Sequence, residues 1–403
     1  MTRNLLTTEQ VATRLGVRRE TIYAYVSRGV LTRTLDDDGH SLFETADVER
    51  IAQRGRPRSD AKRIGSVAVS LATSITEIQR EALYFRGHPV HELAARASFE
   101  AVAELLWTGT LDERPTWPES FAAARVAHAA NAALPSTTAP LERFAVAAAA
   151  LATAHPLRAD LRLGAVSAHG RVLLTTFANV LPLRTKQAVR GRSFAARLWP
   201  RVSVLPATPA RVALLDAALV LLADHELATS TLAARVAAST RADPFAVVLA
   251  GLGAVSGPLH GKAALGAHRL LIDARSSAPH ELAVARLLEQ GQRVPGFGHP
   301  VYRDIDPRAA YLLEKLTALV KAADRRVLDA VMHSAAASVP VKPNIDFALG
   351  AFAFATAMPL GATEAIFAIA RTAGWLAHAL EEYGEAPLRF RARAIYIGAK
   401  ARG

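Results

Sequence analysis

Cysteine is missing altogether from the 403 residues. That absence excludes disulfides, thiolate metal ligands and cysteine nucleophiles, and it fits a reducing cytoplasm. Aromatic residues are scarce, at 6% against 51% hydrophobic overall, so Ala and Leu dominate the apolar content and helices are favoured over sheets. The opening MTRNLLTTEQ holds no apolar run of signal-peptide length. Long uninterrupted hydrophobic runs are lacking too. The most apolar region, 345–380, contains Asp346, Pro359, Glu364 and Arg371, which are costly in lipid, so it reads as a buried core helix. A cytoplasmic, mainly α-helical chain of two or three units, with no membrane partner, is the expectation. The net charge of +12 is spread along it. Residues 1–65 carry 12 Lys/Arg against 9 Asp/Glu, a net +3, and leave +9 on the rest. Such a field suits nucleic acid, and equally suits small anionic substrates.

Residues 7–51 read as a compact module. Thr7 and Gln10 form a capping-box pattern at the start of a helix running through Leu15. Leu15-Gly16-Val17 is a tight turn, and Arg18–Ser27 suits a second helix ended by Gly29. Strands over 31–35 and 40–43 follow, joined by an Asp-rich turn, and Thr45 is placed to cap a helix containing Asp47, Val48 and Ile51. The segment QRGRPRSDAKR is a basic linker, and its Arg-Gly-Arg-Pro core matches a minor-groove hook in four residues.

Past the linker no strand–helix alternation occurs, so a parallel nucleotide-binding sheet is not expected. There is no P-loop, no nucleophile-elbow serine and no second histidine at zinc-protease spacing after His91, His225 or His280. Gly251, Gly253 and Gly257 miss the dinucleotide spacing and read as sites of close helix packing. Four other segments stand out. Ala223-Asp224-His225-Glu226 follows the apolar run LLDAALVLL; Ser256–Gly261 breaks a helix beside His260; Pro295–Arg303 carries His299 and leads to Asp306-Pro307-Arg308; Lys342–Phe347 places Asp346 at the start of an apolar helix. Alone, each histidine could be a turn or core residue, and Asp346 could be a helix cap. Together, several loops each offer a titratable group beside tight-turn residues, as active sites on helical scaffolds do.

In order and spacing the four segments resemble the signatures of the citrate synthase family. Support comes from ALYFRGHPVHELAARASFEAVAELLWTG upstream, and from AIFAIARTAGWLAHALEE and RARAIYIG downstream. The first module, LTTEQVATRLGVRRETIYAYVSRGVL with FETADVERI, resembles winged helix-turn-helix domains of the MerR and excisionase type. Those resemblances imply three regions: a helix-turn-helix domain at 1–53, the linker at 54–65 and a two-domain helical synthase body at 66–403. Within the body the large subdomain would span about 66–260 and 352–403, and the small one about 261–351.

The family resemblance implies a transferase of the citrate (Si)-synthase type, acting in the tricarboxylic acid cycle on oxaloacetate and acetyl-CoA. His260 would stabilise the enol or enolate of the thioester, Asp346 would remove the methyl proton, and His299 would polarise the ketone. His225, Arg308, Arg371 and Arg391 would hold the carboxylates, Arg391 reaching over from the partner of a homodimer. Thr231 would orient His260. No metal and no redox cofactor is implied. In the first module Arg18, Arg19 and Tyr23 would face DNA, or the module serves packing alone. Departures from the family pattern are Leu222, where a histidine is common; Leu227-Ala228, where polar residues are; and Lys262, where a glycine is. Lys262 would contact a CoA phosphate or crowd the loop. Two alternatives stand beside the synthase: a 2-methylcitrate synthase using propionyl-CoA, and a DNA-binding regulator with a synthase-like sensor body.

Overall fold

The computed structural model describes residues 5–391 apart from 16, 37–38, 45–46, 49–69, 80–81, 113–114, 116, 118–120, 186–192, 259, 303 and 339–340. The chain divides into two compact units, Met1–Ala72 and Thr73–Gly403.

The first unit runs β1 (Leu5–Thr7), α1 (Thr8–Leu15), α2 (Arg19–Ser27), β2 (Arg33–Leu35) and β3 (Ser41–Glu44). The capping box forms reciprocally: the Thr7 N–H donates to Gln10 Oε1 at 2.9 Å, and the Gln10 N–H to Thr7 Oγ1 at 3.4 Å. β2 and β3 pair antiparallel as the wing, and β1, unforeseen in the sequence, adds to the far edge of β3. Val11, Ile22, Leu31, Phe43 and Val48 make the core between helices and sheet. The cap at Thr45, the end of its helix at Ile51 and the linker 54–65 with its Arg-Gly-Arg-Pro core lie outside the described residues.

The second unit opens on a small antiparallel sheet, β4 (Thr76–Gln79), β5 (Ala82–Phe85) and β6 (His88–Pro89). Fifteen helices follow among the described residues: α3 (Val90–Arg96), α4 (Phe99–Thr108), α5 (Phe121–Ala132), α6 (Pro140–Ala154), α7 (Leu163–Val180), α8 (Phe194–Val202), α9 (Pro209–Leu222), α10 (Thr229–Ser239), α11 (Pro244–Val255), α12 (Ala263–Arg275), α13 (Leu282–Glu289), α14 (Pro307–Leu316), α15 (Ala322–Ser338), α16 (Ile345–Ala355) and α17 (Ala362–Gly384). The mainly helical expectation holds. No described helix is long and apolar enough to cross a membrane.

α17 is the hub. Every residue from Ala362 to Ala379 is buried, as a helix apolar on all sides requires. The ionic groups at its C-terminal end, His378, Glu381 and Glu382, are paired. Arg235 on α10, fully buried, reaches Glu382 at 3.1 Å, Glu381 at 2.8 Å and His378 Nδ1 at 2.8 Å. A buried charge without such partners would cost several kcal/mol. Gly251 of α11 lets that helix cross α17 closely, since a Cβ there would lie 2.5 Å from the Trp375 ring. The close-packing reading of the glycines holds at Gly251 but not at Gly253, which faces open space; Gly257 sits in a turn.

The four chemical segments become neighbours in this frame. The first joins α9 to α10, the second joins α11 to α12, the third leads into α14, and the fourth starts α16.

Candidate active site

The third and fourth segments are zipped together by backbone bonds. The Gly298 N–H donates to Lys342 O, and the Asn344 N–H to Gly296 O, both at 2.9 Å. Gly296 is required there: its φ is +82°, and a Cβ would sit 2.7 Å from the Phe347 backbone. Asn344, not Asp346, caps α16, accepting from the Asp346 and Phe347 N–H groups while its own amide donates to Gly298 O at 2.7 Å. The Asp346 carboxylate is thereby released from capping. Burial pushes its pKa up to about 6, against the pull of Arg308 and Arg371.

A cavity of about 390 Å³ collects His225, His260, His299, Arg308, Asp346 and Arg371, with Phe367 on its wall. Each histidine is held differently. His299 Nδ1 accepts the N–H groups of Val301 and Tyr302, at 3.1 and 3.3 Å, and its Nε2 lies 3.5 Å from Arg308 Nη2. His225 Nε2 lies 3.0 Å from the Tyr302 hydroxyl, and the His225 and His299 rings meet edge to face at 5.2 Å. His260 Nε2 lies 2.8 Å from the Ser230 hydroxyl. Burial lowers the pKa of His260 and His299 to about 4, helped by Arg371 and Arg308 respectively, and pushes His225 well below its ordinary value. All three are neutral at pH 7. The site therefore holds neutral imidazoles beside Asp346, and beside Glu226, whose pKa burial also raises.

The arginines are fixed from behind. Arg308, 3% exposed, binds Asp306 through Nε and Nη2 at 3.0 and 2.8 Å, leaving Nη1 without a partner among the described residues. Asp306 also accepts the Ile345 N–H at 3.1 Å, so one carboxylate sets Arg308 and the start of α16 together. Burial opposes ionisation of Asp306, yet the Arg308 charge beside it holds its pKa below the usual value. Arg371 donates from Nε to Leu222 O at 2.9 Å, and burial lowers its pKa to about 10, still protonated at neutral pH. Because Arg371 uses the backbone of Leu222, it does not depend on the side chain there.

Six of the seven sequence-selected residues thus share one cavity. Arg391 is the exception: it is exposed and does not line the cavity of its own chain. The Thr231 expectation needs correction. Its buried hydroxyl finds no partner among the described residues, and Ser230, one position earlier, faces His260. Lys262 lines a different cavity. Sequence reasoning gave no role to Ser230, Tyr302, Asp306 or Phe367. Phe367 was discoverable, because it lies one helical turn before Arg371. Among the described residues, no group of three or more His, Asp or Glu is placed to hold a metal ion.

Residues 66–393 match the family model for the citrate synthase C-terminal domain. The chain belongs to the citrate synthase family. Residues 5–56 match a helix-turn-helix domain model. A citrate synthase of Mycolicibacterium smegmatis is 31% identical over 350 residues, covering 81% of this chain and 92% of that protein. A 2-methylcitrate synthase of Mycobacterium tuberculosis is 28% identical over 368 residues, covering 86% and 92%. Among solved structures, the Thermoplasma acidophilum citrate synthase, a ternary complex with carboxymethyl coenzyme A and oxaloacetate, shares the fold. Its TM-score is 0.66 at 24% identity, over 83% of this chain and 95% of that one.

Proposed function

We propose that the chain condenses acetyl-CoA with oxaloacetate and water to give citrate and CoA. The observation that carries this reading is one cavity holding a base of raised pKa, two neutral imidazole donors and two buried arginines. A thioester methyl is a very weak carbon acid, so its deprotonation needs a base and a donor aimed at the developing oxyanion together. A placed base contributes roughly 10²–10⁴ in rate, and one oxyanion donor about 10²–10³.

Asp346 takes the methyl proton. With the Ser230 hydroxyl donating to Nε2 of His260, the proton on that ring sits at Nδ1 and is offered to the thioester oxygen as the enol or enolate forms. The nucleophilic carbon then bonds to the ketone carbon of oxaloacetate. The carbonyl electron pair moves to oxygen, which takes a proton from Nε2 of His299, and the proton taken up by Asp346 returns that ring to its neutral form. Arg308, through the Nη1 that Asp306 leaves free, and Arg371 and His225 hold the carboxylates, and Arg371, held only at Nε, can offer two parallel bonds. Arg391 of a partner subunit would complete the clamp in a homodimer. Water finally cleaves the citryl thioester and releases CoA. The reaction so written calls for no metal and no redox cofactor. Oxaloacetate is also what the Thermoplasma relative holds.

A second cavity, about 590 Å³, shares His299 and Pro300 with the first, and Leu288, Val294, Phe297 and Val341 line it. Its apolar wall suits the pantetheine arm of an acyl-CoA, with Arg293 at hand for a phosphate. Propionyl-CoA is the competing donor, since both kinds of synthase occur among the relatives, and one methylene is worth only about 1–3 kcal/mol. Release of free CoA, followed with oxaloacetate and either donor, tests the reading. Faster turnover with acetyl-CoA is expected; faster turnover with propionyl-CoA makes it a 2-methylcitrate synthase, and none with either leaves a sensor body.

For the first unit we propose DNA contact through α2. Arg18 and Arg19 are exposed, as is Tyr23 at 47%, and a second helix of this kind is the one that enters a major groove. Retardation of duplex DNA that fades with salt checks it.

A further inference from the structure

Another cavity of about 390 Å³ on the second unit shares no lining residue with the catalytic one. Its wall carries five cations, Arg143, Arg184, Arg201, Lys262 and Arg269, against one acid, Glu364. Among the described residues none of the five pairs with a carboxylate at salt-bridge distance. Two are braced by backbone alone. Arg143, 8% exposed, donates from Nε to Thr138 O at 3.2 Å and from Nη2 to Pro135 O at 2.8 Å. Arg201 donates from Nη1 to Asn179 O at 2.9 Å and to Leu181 O. Arg143 Nη1 and Arg201 Nη2 have no acceptor among the described residues, and burial weighs against the charge of Arg201. Braced guanidiniums without a counter-ion are costly to maintain.

Three helices also begin on this wall: α6 at Pro140, α12 at Ala263 and α17 at Ala362. Their N-cap residues, Ala139, Lys262 and Gly361, make no side-chain capping bond. Three positive helix ends therefore add to the five cations. Glu364 and the nearby Glu142, each in a first turn, offset part of this field only. Leu181, Leu265, Pro359 and Leu360 supply an apolar side for the rest of a ligand.

We propose that this cavity binds a multiply charged, phosphate-bearing small molecule. Uncapped helix ends and guanidinium forks both suit phosphate oxygens, and the cavity is large enough for more than a bare ion. Lys262, the residue whose place in the family pattern is a glycine, finds its use here. It begins α12 two residues after His260, so a ligand held on it also restrains the loop that carries His260.

Calorimetric titration of the full chain with inorganic tripolyphosphate, at low salt and with oxaloacetate saturating, tests the site without reference to turnover. One equivalent is expected to bind. The double variant Arg184→Ala/Arg269→Ala, which alters two exposed side chains, should bind about tenfold more weakly or worse with an unchanged melting temperature. Affinity unaltered in that variant, no binding at all, displacement by acetyl-CoA, or citrate bound more tightly than tripolyphosphate would each overturn the proposal.

Discussion

Asp346 sits where two influences oppose one another. Burial raises its pKa to about 6, while Arg308 and Arg371 pull it down. The reaction uses the ionised form, so kcat/KM should fall as pH drops through about 6, by roughly tenfold for each further unit. His260 and His299, at about 4, stay neutral over this range and add no second limb above pH 5. A pH–rate profile still flat at pH 5 would show an ordinary carboxylate and remove the argument from burial. At this scale His260, His299 and Arg308 were legible because each stands beside Gly or Pro. The hydroxyl behind His260 was not: Thr229-Ser230-Thr231 offers three, and only the rotation of α10 decides which one faces the ring. Tyr302 and Asp306 are likewise ordinary types whose roles arise from contacts far along the chain, at His225 and Ile345.

The elements followed the chain's periodicity closely. α1 and α2 begin and end within a residue of the positions their caps and Gly29 indicate. β1 was invisible, since three residues are too few to show alternation and its pairing with β3 is non-local. α16 shows why a carboxylate at a helix start is ambiguous in sequence: Asn344 two residues earlier takes the capping duty, which only geometry reveals. For α2 the proposed groove contact has a specific consequence. Replacing Arg19 by Ala should weaken DNA binding and lessen its dependence on salt, because each neutralised phosphate contributes about 0.9 to the slope of log affinity against log salt. An unchanged slope would point to another face, and no retardation of wild type at low salt would leave α2 a packing helix.

On the scale of the whole molecule, a helix-turn-helix domain joins a body of the citrate synthase family. The body was legible because its motifs occur in order. The stretch between α4 and α9 was not, being Ala-rich helix whose partners composition leaves undefined. Arg391 stays outside its own cavity, and the proposed homodimer would bring it to the neighbour's. Arg391→Ala and Asp346→Ala subunits, each inactive alone, should then regain about a quarter of wild-type turnover when mixed through unfolding. Half the dimers are mixed, and each mixed dimer has one intact site of two. No recovery would place Arg391 elsewhere.

Free CoA release from acetyl-CoA and oxaloacetate by Asp346→Ala, compared with wild type, reads the proposed chemistry most directly. The cavity geometry predicts a loss of about 10²–10⁴ in kcat with oxaloacetate binding retained; an undiminished rate would contradict it.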